Sequence, residues 1–258
     1  MLRVLGSQAT APLNGIAASG YALESGQDVF MIDCGSGTFN EFTKHYALEQ
    51  LKGIILTHLH ADHCLDLMAI AYRWTFPEVR PKIPLYIPAG EHSKHKAYDE
   101  LFAVPSIEAM KTPIATAFEI HEMPCDGKTE FQLNKNTTLL SFAGHHAVPN
   151  ACLRFSVGSK VVAFSGDTGP CQGLDDAVHD ADIFICEATY LQASDEQIYG
   201  HGHMTAELAG AAAHNNNVKQ LVLTHFTDVK AQGAQGIQDA KHKFNGHIAL
   251  ALPGEEIS

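Results

Sequence analysis

The run Thr57-His58-Leu59-His60-Ala61-Asp62-His63 places three imidazoles and one carboxylate within six consecutive positions. Imidazole nitrogen and carboxylate oxygen are donors that suit Zn2+ above all, with Mn2+ and Fe2+ as alternatives. In an extended backbone alternate side chains point the same way, so His58 and His60 can share one ion while Asp62 and His63 turn towards another. A lone histidine is usually a hydrogen-bonded core or surface group. Three with an aspartate in one short run make a metal loop the stronger reading.

Two ions need more donors than this loop holds, and three later segments offer them. His145 and His146 follow Leu139-Leu140-Ser141-Phe142-Ala143-Gly144, Asp167 follows Val161-Val162-Ala163-Phe164-Ser165-Gly166, and His225 follows Leu221-Val222-Leu223-Thr224. Taken singly, Asp167 suits a turn and His225 suits a satisfied core imidazole. Taken together, four apolar runs each deliver a metal donor at the same relative place. Reactive groups are displayed on loops at strand ends, so these runs are predicted to be strands whose ends converge on one edge.

The elements that must do this positioning are short. Strands are predicted at Leu2 to Leu5, Val29 to Ile32, Gly53 to Leu56, Pro84 to Ile87, Thr138 to Phe142, Val161 to Phe164, Ile183 to Cys186 and Leu221 to Leu223. Helical patterns cover Asp62 to Tyr72, His92 to Phe102 and Thr205 to Ala213. The aromatic and proline-rich stretch Trp74 to Pro88 reads either as a rim over a pocket or as a loop into a buried strand. The mixture predicts a layered α/β fold. With 258 residues, 45% of them hydrophobic, and no repeat or Pro/Ser-rich linker, residues 1–258 read as a single domain.

A formal charge of −12 and the lack of any Lys/Arg-rich run argue against a broad nucleic-acid footprint and favour a small-molecule substrate. Bound cations would still make a cleft locally positive. The six cysteines are scattered without a CxxC pair, as in a reduced cytoplasmic protein. No basic leader and no apolar run of membrane length occurs, so neither export nor a membrane partner is expected.

At these residues the sequence resembles the metallo-β-lactamase superfamily, and more closely its ribonuclease Z-like branch. The resemblance spans nearly the whole chain. It implies an αββα four-layer sandwich with two zinc ions at the sheet edge, a homodimer, and specific matches. THLHADH corresponds to the family's metal loop. HHAVPNACLR corresponds to its third ligand segment, which selects His146 over His145. Asp167 in FSGDTGPC corresponds to the bridging aspartate and His225 in LVLTHF to the last histidine. Cys186-Glu187-Ala188-Thr189-Tyr190 and His203-Met204-Thr205 resemble the segments whose Glu and His assist phosphodiester cleavage.

The departures bear on substrate. Transfer-RNA-processing members often carry a long arm between the third histidine and the bridging aspartate, whereas here 167 − 146 = 21 positions separate them. Gly169 stands where those nucleases commonly show Arg, and Thr227-Asp228-Val229 lacks their usual Arg-Tyr. The segment Asp33-Cys34-Gly35-Ser36-Gly37-Thr38 also departs from theirs. The leading expectation is therefore a zinc-dependent phosphodiesterase for a small phosphodiester, with transfer RNA a poor substrate. Two divalent ions would activate water and stabilise both oxygens of an in-line displacement. Asp62 would orient that water, Asp33 would support a ligand imidazole from outside, and His203, held by Glu187, would protonate the leaving oxygen. Competing readings are a thioester, lactone or sulfate-ester hydrolase, a transfer RNA 3′-processing nuclease, and a metal-binding scaffold without turnover.

Overall fold

Runs that are apolar at every position, such as Val29-Phe30-Met31-Ile32 and Ile183-Phe184-Ile185-Cys186, need cover on both faces of the strands they form. A computed structural model describing residues 1–258 supplies that cover with two seven-stranded sheets packed face to face and helices outside each. The first sheet holds β1 (Leu2–Gly6), β2 (Gly20–Ser25), β3 (Asp28–Cys34), β4 (Leu51–Ile55), β5 (Ile83–Pro88) and β6 (Phe118–Met123). The second holds β7 (Phe131–Asn134), β8 (Thr137–Ala143), β9 (Ala151–Val157), β10 (Lys160–Phe164), β11 (Ile183–Glu187), β12 (Gln220–Thr224) and β13 (His247–Leu250). A last strand, β14 (Glu256–Ile257), returns to pair with β1.

Helices α1 (Thr38–His45), α2 (Ala61–Cys64), α3 (Asp66–Thr75), α4 (Lys94–Phe102) and α5 (Pro113–Ala117) pack on the outer face of the first sheet. Helices α6 (Gln172–Val178), α7 (Ala206–Asn215) and α8 (Val229–Lys241) cover the second. The result is the αββα sandwich expected from the sequence. Strand alternation assigns each residue to a layer. Phe30 and Ile32 face the space between the sheets while Val29 and Met31 lie under the first helices. In β11, Ile183 and Ile185 point inward and Phe184 and Cys186 lie under the second set.

Both sheets begin antiparallel and end parallel. In the first, β1 to β3 pair antiparallel and β3 to β6 parallel. In the second, β7 to β10 pair antiparallel and β10 to β13 parallel. Parallel strands empty on the same side, so the chain leaves β4, β10, β11 and β12 along one rim of the sandwich. The interval between His146 and Asp167 is occupied by the hairpin of β9 and β10, turned at Gly158.

Two local readings change. The stretch predicted as one helix, Asp62 to Tyr72, is divided into α2 and α3 at Leu65, whose own backbone stays right-handed helical. Trp74 is not a rim residue: its side chain is buried in the helix-sheet core, and its indole N–H donates to the Pro81 carbonyl at 2.7 Å. All six cysteines are unpaired. No helix is long and apolar enough to cross a membrane.

Candidate metal centre

The last residues of β3 place Asp33 at φ 56°, a conformation non-glycine residues seldom adopt. From there its buried carboxylate reaches the loop after β4. It accepts from the Thr57 backbone N–H at 2.8 Å, from the Thr57 hydroxyl at 2.9 Å and from His63 Nδ1 at 2.7 Å. Because the Thr57 hydroxyl gives its proton to Asp33, its oxygen is left to accept from His58 Nδ1 at 3.1 Å. One carboxylate thus orients two histidines, one directly and one through a threonine.

The second sheet repeats the device at the end of β11. Glu187 accepts from Thr168 N at 2.7 Å, Thr189 Oγ1 at 2.6 Å and Met204 N at 3.1 Å, and both its oxygens lie 3.1–3.2 Å from His203 Nδ1. The Thr189 oxygen then accepts from His225 Nδ1 at 2.9 Å. His225 itself takes φ 60°, one step past β12. His146 Nδ1 donates to the Gly202 carbonyl at 3.0 Å.

With Nδ1 committed to an acceptor, the Nε2 atoms of His58, His63, His146 and His225 carry bare lone pairs. They point inward. His63 Nε2 lies 3.1 Å from His225 Nε2, and His146 Nε2 lies 3.2 Å from His60 Nδ1. His58 Nε2 and Asp167 Oδ1 are buried without any hydrogen-bond partner. Asp167 stands between the histidines, its oxygens 3.4 Å from His63, 3.5 Å from His225 and 3.7 Å from His58. Asp62 Oδ2 lies 3.3 Å from His225 Nε2 and accepts from Thr10 N at 2.7 Å.

Converging lone pairs and a carboxylate with an orphaned oxygen repel one another unless a cation lies among them. The donor atoms of His58, His60, His146 and Asp167 fall within 4.8 Å of one another, as do those of Asp62, His63 and His225. The residues present therefore fit a divalent metal. Burial and the neighbouring His63 push His58 well below the ordinary imidazole range. Burial works to raise Asp167 and Asp62, but the histidines around them, His225 and His63 foremost, hold both carboxyls low. Burial also works to lower His203, and the Glu187 carboxylate outweighs it, so that this imidazole is held above its usual value.

His58, His60, Asp62, His63, His146, Asp167, Glu187, His203 and His225, with Asp33 behind them, lie together at this rim. His145, the neighbour not selected, faces away from the cluster and bonds the Tyr199 carbonyl. The threonines Thr57 and Thr189 escaped sequence reasoning, as did Thr10. Their only signal was adjacency to a metal-loop histidine or membership of the Glu187 segment. His203 lies closer to the cluster than a remote helper would, since its donor atom falls within 4.8 Å of donors from Asp167 and His225.

A family model described as "Beta-lactamase superfamily domain" matches residues 29–226. Among curated relatives, "Ribonuclease Z 2, mitochondrial" of Schizosaccharomyces pombe is 27% identical over 233 residues, covering 88% of this chain but only 34% of that protein. The chain thus spans about a third of that relative. "Ribonuclease Z" of Ignicoccus hospitalis is 24% identical over 277 residues, covering 93% of this chain and 92% of its own length. The crystal structure of the metallo-beta-lactamase fold protein YhfI from Bacillus subtilis superposes with a TM-score of 0.83 at 21% identity, covering 98% of this chain and 97% of that one. With its sandwich, its histidine-rich rim and these relatives, the chain belongs to the metallo-β-lactamase superfamily and is ribonuclease Z-like.

Proposed function

We propose that this chain is a dinuclear-metal phosphodiesterase acting on a small phosphodiester. His58, His60, His146 and Asp167 would hold one divalent ion and Asp62, His63 and His225 the other, and Zn2+ is the ion this donor set suits best. When bound, such a pair supplies Lewis acidity, lowering the pKa of water and stabilising charge on the entering and leaving oxygens. Asp62, fixed by the Thr10 N–H, orients the attacking water. The observation that carries the reading is His203: Glu187 holds its Nδ1, leaving Nε2 to give a proton to the leaving oxygen, and the adjoining carboxylate favours the protonated ring.

The small-substrate part rests on three supports. The interval between His146 and Asp167 is used up by the β9–β10 hairpin, no Lys or Arg is among the groups that hydrogen-bond the cluster, and the chain carries a charge of −12. The names of the relatives keep transfer RNA 3′ processing as the rival. Elemental analysis of the purified protein should find close to two divalent ions per chain. Rates on an aryl phosphodiester, an aryl sulfate, a lactone and a precursor transfer RNA, at matched salt and before and after chelation, should rank the phosphodiester first. Site-specific removal of a transfer RNA trailer as the fastest reaction would reverse the ranking.

The proximity of His203 to Asp167 and His225 favours one second reading, in which His203 is itself a ligand. Metal content of His203→Ala separates the two.

A further inference from the structure

His203 sits at the end of a segment that begins with a π-helical turn, Glu196–Gly200, a geometry that recurs at functional sites. Its only backbone tie within that segment is the His203 N–H donated to the Gln197 carbonyl at 3.2 Å. Towards the rest of the protein, the segment is held at its end by the Glu187 carboxylate on His203 and, ahead of that, by two adjacent residues. Gly202 O accepts from His146 Nδ1 at 3.0 Å, and Tyr199 O accepts from His145 Nε2 at 2.7 Å. His145 is in turn pinned along its backbone, its N–H donating to Thr168 Oγ1 at 2.8 Å and its carbonyl accepting from Gly169 N at 2.9 Å.

The three strips pack without room for side chains. A Cβ on Gly202, at φ 79°, would fall 2.0 Å from the His145 carbonyl oxygen, and one on Gly169 would fall 2.4 Å from the Ile198 carbonyl oxygen. The backbone at 198–203 is therefore seated directly on the hinge that carries a candidate metal ligand. Of its two imidazole bonds, the one from His146 is made by a half-buried candidate ligand, while the one from His145 comes from an exposed residue whose ring makes no other hydrogen bond.

We propose that His145 is a positioning residue: its imidazole latches the 196–203 segment and thereby fixes His203 over the leaving oxygen. This rests on the reading of His203 as the proton donor. His145 lies outside the metal cluster and is solvent-exposed, so replacing it leaves the core and the donor set intact. What is lost is one hydrogen bond on a surface turn, an effect of roughly three- to tenfold on the ratio of unseated to seated segment.

The test uses metal-loaded protein, with His145→Ala, His145→Gln and His203→Ala compared to the parent. Glutamine keeps an N–H close to the position of Nε2. In His145→Ala, hydrogen–deuterium exchange of amides 198–203 should rise roughly three- to tenfold. Turnover on an alkyl phosphodiester should fall by a smaller factor, at most about twofold, at unchanged KM and metal content, since a segment seated most of the time loses little of its seated population, and the aryl ester should be nearly unaffected. His145→Gln should restore both exchange and turnover. Unchanged exchange in His145→Ala, a glutamine variant as impaired as the alanine one, or loss of metal on either replacement overturns the latch. If His203→Ala loses equally on aryl and alkyl esters while His145→Ala still loosens 198–203, the segment is latched as described and it is the proton-donor reading that fails.

Discussion

Two carboxylates, Asp33 on the first sheet and Glu187 on the second, do the same job with different partners. Each holds one histidine directly and a second through a threonine: Asp33 takes His63 and, through Thr57, His58, while Glu187 takes His203 and, through Thr189, His225. The first relay serves only buried residues of the donor cluster. The second serves one of these and one partly exposed imidazole, His203, whose donor atom lies beside those of Asp167 and His225. The difference teaches where holding and acting are separable. On the proposed function, damage to the Asp33 relay would disturb metal retention alone, whereas damage to the Glu187 relay would touch metal retention and proton transfer together.

The residue that histidines of both relays face gives the largest effect. Asp167→Ala should lose metal and activity together, to the level of the chelated enzyme, because Asp167 lies against histidines from both sheets. Metal analysis alongside turnover checks this, and retained metal with lost activity would confine Asp167 to chemistry.

Next comes the acting arm of the second relay. His203→Ala should lower turnover on an alkyl phosphodiester by about 10²–10⁴-fold. A p-nitrophenyl ester, whose leaving group hardly needs a proton, should recover much of that loss, and metal content should stay at the parent level. Equal losses on both esters would strike the asymmetry from the comparison.

The carboxylates themselves should differ in kind. Asp33→Asn should weaken metal affinity by about 10–100-fold, the usual cost of removing an outer partner of a ligand histidine, with an unaltered ratio of aryl to alkyl rates. Glu187→Gln should weaken metal binding less, since Thr189 can still meet His225, and should change that ratio. Competition with a chromogenic chelator, run beside the two rate assays, distinguishes them. The same pattern from both variants would mean that the relays are equivalent.

The smallest effect concerns thiols behind the two relays. On the first side burial pushes Cys34 and Cys64 up. On the second, hydrogen bonds from Cys152 and Thr168 outweigh burial and bring Cys171 down to about 5. A depressed thiol pKa leaves thiolate dominant at every pH above it. Iodoacetamide should therefore label Cys171 at pH 6 at nearly its pH 8 rate, while an ordinary cysteine, with a pKa of about 8.5, slows steeply over that interval. Peptide mapping that finds no labelled Cys171 at pH 6 would remove this contrast between the sides.

Much of this was legible in the sequence because parallel strands buried on both faces are apolar throughout and end abruptly in polar loops. β3, β4, β10, β11 and β12 announce themselves in that way. Strands that mix polar residues do not. β9 carries Arg154, which is tolerated because its guanidinium bonds the Ala177 and His179 carbonyls at the end of α6. β6, at the edge of its sheet, reads Phe118-Glu119-Ile120-His121-Glu122-Met123 with exposed acids. Helix α8 was hidden by Gly233 and Gly236, which lower helix propensity by about 1 kcal/mol each. In the candidate centre the histidines and aspartates were visible by type, but the threonine relays were not. A hydroxyl 24 residues from its carboxylate, as Thr57 is from Asp33, has no spacing that marks it.

The rim where the donors meet is also a seam, since His58, His60, Asp62 and His63 come from the first sheet's side while His146, Asp167 and His225 come from the second's. A cation bound there joins two halves that otherwise adhere through their shared apolar layer. By mass action a ligand confined to the folded state adds RT ln(1 + [M]/Kd), about 4 kcal/mol at a thousandfold excess over Kd. With the proposed ions bound, melting of this protein would be a titration of free metal as much as a property of the chain, and the sandwich would be at its loosest when starved of the ion.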